Sequence, residues 1–202
     1  MRIVLCALAL CGALNGFVCA QESVRPEVTA LLARMPPFLR TLKLPPVIWH
    51  DLPAGTARGG EKSDLGLELW VPKGADMADI FCHELAHIQQ DRHPAMARRF
   101  LEFRHDQPAT QEKIGQIWLA VMRANNGELE PPYRLDGAAW AAINELKFPR
   151  RRADDLHALT KSIEYWAVSV ELAFLAWKNG DMKRLGAHLS EEEAAFLAPL
   201  FP

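Results

Sequence analysis

Two stretches of the chain carry clear hydrophobic periodicity. Leu65, Leu67, Leu69 and Val71 alternate with Gly66, Glu68 and Trp70, the period of a strand buried on one face, and Pro72 and Gly74 end it. Farther along, Leu156, Leu159, Ile163, Trp166, Val170, Phe174 and Trp177 fall at helical spacing, which predicts one long helix from about Asp155 to Lys178 with this stripe on a core. A second line, His157, Lys161, Glu164, Val168, Glu171 and Leu175, runs beside the first. Carboxylates that border an apolar stripe need a partner, and a cation would provide one.

Weaker signals fill in the rest. Val28 to Leu42 reads as a short helix broken at Pro36, and Val47 to Trp49 as a strand. Asp76 caps a helix running to about Asp91 and stopped by Pro94, while Ser190 with Glu193 forms a capping box that opens a last short helix. The pairs Pro36-Pro37, Pro45-Pro46 and Pro131-Pro132 punctuate the chain, which shows no repeat and no low-complexity tract. The elements together predict an α+β fold, mainly α.

Composition changes the picture at the N-terminus. Met1-Arg2 supplies a basic start, Ile3 to Ala20 carries no charge, and Val18-Cys19-Ala20 suits a signal peptidase cut before Gln21. Residues 1–20 are therefore expected to be an export signal, with a secreted or periplasmic mature chain from 21 to 202. Cys6, Cys11 and Cys19 leave with the signal, so Cys82 stands alone and no internal disulfide forms. With 23 Lys+Arg against 25 Asp+Glu the net charge is −2, too balanced for a nucleic-acid partner. At 50% apolar with six Trp, the chain has material for a real core.

The sharpest chemistry lies on the helix after Asp76, in His83-Glu84-Leu85-Ala86-His87. Residues four apart on a helix project side by side, so His83 and His87 can grip one cation through imidazole nitrogens. Glu84 can stay off the metal, take a proton from an activated water and hand it to a leaving amine. Seven His and 15 Glu in 202 residues would give this pentapeptide by accident in about 2% of chains of this composition. Cys82 diverges by about 100° from its neighbour His83 and is expected to be a small core residue.

This pentapeptide, preceded by an amphipathic strand and a tight turn, resembles the zincin superfamily of zinc metallopeptidases. The resemblance implies a two-lobed fold with a small N-terminal sheet and a helical C-terminal lobe, divided at about residues 107 and 108. It also implies Zn2+ as cofactor and a peptide or protein substrate laid along a sheet edge, for which Leu65 to Val71 is the candidate. Catalytic zinc takes three protein ligands, and the third is open between two main positions. His93 stands at the metzincin spacing, but Gln90 occupies the place of that family's turning glycine. Glu164, followed by Tyr165-Trp166-Ala167, is similar to the second motif of gluzincins, most closely the branch with anthrax lethal factor and the Pro-Pro endopeptidases, where such a Glu is the third ligand. Glu171 and Asp91 remain as further alternatives.

In that branch a Tyr seven residues before the ligand stabilises the oxyanion; this chain has His157 there, and thermolysin-like enzymes use a His for the same hydrogen bond. The resemblance thus implies catalytic roles for Glu84 and His157, metal ligands His83, His87 and Glu164, and a supporting bond from Glu171 to His83 or His87. Arg150-Arg151-Arg152 reads as a solvated loop without function, and Gly55 to Gly60 as a hairpin or flexible lip. The functional expectation is a secreted zinc peptidase. A catalytically inactive exported metal-binding or partner-binding module on the same scaffold is the alternative.

Overall fold

The computed structural model describes residues 25–129, 131–152 and 154–202; the expected export signal and the first three cysteines lie outside them. The elements run α1 (Pro26–Ala33), α2 (Pro37–Arg40), β1 (Val47–Leu52), β2 (Gly59–Lys62), β3 (Leu67–Pro72), α3 (Ala78–Arg92), α4 (Pro94–Phe103), α5 (Pro108–Ala124), α6 (Gly137–Glu145), α7 (Ser162–Lys178) and α8 (Glu191–Leu197). The class is α+β and mainly helical. Among the described residues no helix is long and apolar enough to cross a membrane.

The alternation read from sequence holds from Leu67 onward: Leu67, Leu69 and Val71 are buried, while Leu65 is 81% exposed because the strand starts after Gly66. A side chain at Gly66 would stand 2.5 Å from the Pro46 carbonyl oxygen, so only glycine lets the chain enter the sheet this close to the segment before β1. The strand order is β1-β3-β2, with β1 parallel and β2 antiparallel to β3. This corrects the expected edge: β3 is the central strand with both sides paired. The edge next to α3 is β2, whose Gly59-Gly60-Glu61-Lys62 carries no apolar alternation to announce it.

Helix α3 starts where Asp76 accepts the Ala78 amide at 3.1 Å. The same carboxylate binds Arg34, just past α1, at 2.9 and 2.8 Å and Lys178, the last residue of α7, at 2.9 Å. Three helix ends therefore meet on one acid. Helix α7 lies along α3 and is buried almost all round, with Trp166 donating to the Ala86 carbonyl of α3 at 3.2 Å. A single apolar core runs from Val28 to Phe201.

The expected helix from Asp155 to Lys178 is divided. The Asp155 carboxylate accepts the His157 amide at 3.0 Å and the Thr160 hydroxyl donates to the His157 carbonyl at 2.7 Å, closing a separate 3-10 turn at His157–Leu159. Lys161 is extended, and α7 begins at Ser162. Local side-chain bonds of this kind compete with helix. Ile163, in the first turn of α7, is 40% exposed, although Leu156, Leu159, Trp166, Val170 and Phe174 are buried as expected.

Tyr165 anchors the other side of α7. Its hydroxyl accepts from Arg104 at 2.9 and 2.6 Å and donates to Glu193 at 2.8 Å. Glu193, fully buried, also lies 3.2 Å from Arg104 and completes the capping box with Ser190. Removing the cation from a buried pair strands the carboxylate. The Arg104→Met variant is expected to lose about 3–5 kcal/mol, read as a lower urea midpoint with an unchanged slope.

Candidate metal centre

Helices α3 and α7 bring one carboxylate to two imidazoles. His83 and His87 point the same way from successive turns, their Nε2 atoms 3.2 Å apart. The Glu164 Oε2 atom lies 3.3 Å from each of them. Four-coordinate zinc with bonds of about 2.0–2.1 Å sets its ligand atoms about 3.3–3.4 Å apart. The three atoms thus outline a triangle of the size of one face of that tetrahedron. Glu164 Oε2 is also buried without a hydrogen aimed at it, despite the neighbouring nitrogens. An acceptor left in this state is what a cation satisfies, and the residues fit the metal implied by the sequence.

The position of Glu164 follows from its neighbours in the chain. Tyr165 is tied to Arg104 and Glu193, and Trp166 to the main chain of α3; the residue before them, in the first turn of α7, has little freedom left. His157 reaches the same oxygen from the 3-10 turn, with its Nε2 2.8 Å from Glu164 Oε2. Trp118 of α5 holds that turn by donating to the Leu159 carbonyl at 3.1 Å. His83, His157 and Glu164 also form a group whose ligand atoms could share an ion. The 2.8 Å contact is shorter than an edge of the zinc tetrahedron, which favours His87 over His157 as the third corner and gives His157, 43% exposed, a place at the rim.

The other positions weighed from sequence fall elsewhere. Helix α3 continues through Gln90 to Arg92, so His93 at its end is exposed and carried away. Asp91 is exposed and bound to Lys62. Cys82 is wholly buried and its thiol is pushed up by that burial and by Glu171, in keeping with a core residue. Glu171 sits behind the triangle, its Oε2 3.0 Å from His83 Nδ1. This contact orients the ring with Nδ1–H on the carboxylate, which would leave Nε2 to face a metal ion.

The loop of arginines is largely exposed, as expected, but Arg151 is also tied into the cluster. Its guanidinium grips both Glu171 oxygens, at 2.7 Å to Oε1 and 2.9 and 2.7 Å to Oε2, and comes within 3.2 Å of His83 Nδ1. The only hint in the sequence is that one buried acid on α7 required a countercharge; which arginine of the run supplies it depends on the irregular loop.

Electrostatics in the metal-free chain follow from this packing. Burial opposes a charge on His83, but the Glu164 and Glu171 carboxylates on either side of the ring outweigh it and raise the group to about 9. Burial likewise opposes the Glu164 charge, yet His157, His83 and His87 hold that carboxyl far below the usual range. Glu84, only 5% exposed, is pushed up by burial, against the pull of the two imidazoles and of the Lys62 backbone amide.

Two measurements check this centre. With His83 raised to about 9 by its two carboxylates, zinc uptake at pH 7 is expected to displace about one proton from this group and affinity to weaken as pH falls; calorimetry in buffers of different ionisation enthalpy reads this. Arg151→Ala, which frees the Glu171 carboxylate, is expected to weaken zinc binding by about 10–100-fold in competition with a chromophoric chelator.

No family model, no curated protein and no solved structure matches this chain.

Proposed function

We propose that this protein is a secreted zinc-dependent peptidase of zincin-like, two-lobed architecture, with α3 on the N-terminal side of the cleft and Glu164 brought from the helical C-terminal side. The observation that carries the reading is the 3.2, 3.3 and 3.3 Å triangle of His83, His87 and Glu164, with a buried acid, Glu84, one residue along from His83. Zinc bound there supplies a Lewis acid that polarises a carbonyl and makes water acidic. His83, His87 and Glu164 would hold it, and Glu171 with Arg151 fixes the His83 ring.

Glu84 takes the proton of the attacking water as that oxygen bonds to the peptide carbonyl carbon. When the C–N bond breaks, Glu84 returns the proton to the departing amine nitrogen. Its burial, which raises its proton affinity, suits a group that must both accept and release a proton. His157, at the rim, is the donor available to the carbonyl oxygen as charge develops on it. The expected export of the chain makes extracytoplasmic peptides or proteins the substrate class.

A second reading has its own support. If the 2.8 Å contact between His157 and Glu164 opens on metal uptake, His157 can become a fourth protein ligand, and a closed sphere is the mark of a structural site. The protein would then be a silent metal-binding module.

The decisive experiment digests a peptide library with the zinc-loaded chain, with and without chelator. Glu84→Gln is expected to keep one zinc per chain and lose turnover, His83→Ala to lose both, and His157→Ala to keep zinc with kcat down by about 10²-fold. A wild-type chain that cleaves nothing while His157→Ala loses its zinc establishes the silent module instead.

A further inference from the structure

Strand β2 is anchored to α3 at both ends. Arg58, just before it, reaches the Asp79 carboxylate at 2.7 and 2.6 Å and the Asp76 carbonyl; Lys62, its last residue, binds Asp91. The two anchors span α3 from its first turn to its last. Between them the strand crosses the helix at Gly60, where there is no spare room: an added Cβ would lie 2.8 Å from Glu84 Cγ, 2.8 Å from Ile80 Cγ2 and 3.2 Å from Glu84 Oε1. Ile80 and Glu84 are one turn apart on the same face of α3. The Lys62 backbone amide, two residues farther along the strand, is the main-chain donor beside the Glu84 carboxylate.

Glycine inside a strand weakens it and marks close backbone approach, and β2 has two. They are not equivalent. A Cβ at Gly59 would meet only Trp70 Cε3 at 3.6 Å, an ordinary contact. The need for glycine is confined to the position that faces Glu84.

We propose that β2 is the seat of Glu84: Gly60 provides the gap into which its side chain packs, and the Lys62 backbone amide aims its carboxylate, so that both are positioning residues. The inference rests on the reading of Glu84 as the base only for its consequence in turnover; the seat itself is a statement about packing. An isolated glutamate on a helix samples several rotamers, and a base that does so spends little time in reach of its proton. The gap, the amide and the two anchors leave it one arrangement. A backbone donor also keeps its direction whatever side chain stands at position 62.

The test follows exchange of the Lys62 amide in the full zinc-loaded chain by NMR, in wild type and in Glu84→Ala, Gly60→Ala and Gly59→Ala. Losing a charged acceptor is expected to speed Lys62 exchange by about tenfold or more in Glu84→Ala and Gly60→Ala, with Gly59→Ala at the wild-type rate and one zinc per chain throughout. On a cleaved peptide, Gly60→Ala is expected to lower kcat by roughly 10²-fold with KM held. The proposal is overturned if Lys62 exchanges as fast in wild type as in Glu84→Ala, a comparison that does not require Gly60→Ala to fold. It is equally overturned if Gly60→Ala exchanges like Gly59→Ala. A protected Lys62 amide in a chain that cleaves no peptide leaves the seat standing and removes the peptidase reading.

Discussion

The arrangement depends on one contact, the packing of α7 along α3 with His83 held between two carboxylates of the same helix. Glu164 and Glu171 are seven residues apart, two turns of α7, and so project on one face; one lies 3.3 Å from His83 Nε2, the other 3.0 Å from Nδ1. The ring is gripped at both nitrogens. Burying two acids and an imidazole against an apolar stripe is costly unless each polar atom finds a partner. Arg151 completes Glu171, and His157 stands against Glu164, but Glu164 Oε2 is left without a donor aimed at it. What the cluster leaves unmet is a partner for Glu164 Oε2 between the two helices, a place that a cation would fill.

What was legible in the sequence follows the range over which each feature is determined. His83 and His87 are one helical turn apart, so their convergence needs nothing beyond a helix, which Asp76 and Pro94 delimit to within a residue or two. Glu164 was legible for another reason: it falls on the polar line that borders the apolar stripe from Leu156 to Trp177, and an acid there needs a partner. Arg151 and the edge strand were not legible, because neither rests on periodicity. Arg151 is one of three consecutive arginines in an irregular loop, and its selection depends on where α7 ends up. Strand β2 is four residues long, with no apolar alternation, and is held by Arg58 and Lys62 reaching across to Asp79 and Asp91.

The break at Thr160 and Lys161 shows how local bonds override an apolar stripe. Leu156 and Leu159 do fall on the buried side with Trp166 and Val170, which is why the spacing reads as one helix. Yet Asp155 and Thr160 bond the main chain of the turn rather than letting it continue. An unbroken helix would put His157 two turns before Glu164, about 10 Å away along the axis. The turn instead folds it back so that Nε2 stands 2.8 Å from the Glu164 oxygen. The irregularity is therefore what brings a third histidine to the centre.

In the proposed zinc site, that third histidine decides between an open and a closed coordination sphere. His83, His87 and Glu164 are set on helices packed into the core, and their spacing already matches a tetrahedral face. His157 is on a short turn at the surface, held by Trp118 through the Leu159 carbonyl and much more exposed than the other two histidines. A ligand that completes a structural site is normally as buried as its partners, whereas a group that meets a substrate must stand where substrate can arrive. For the proposed zinc site, the difference in burial between His157 and the three inner residues thus favours an open fourth position, and with it the peptidase reading over the silent module.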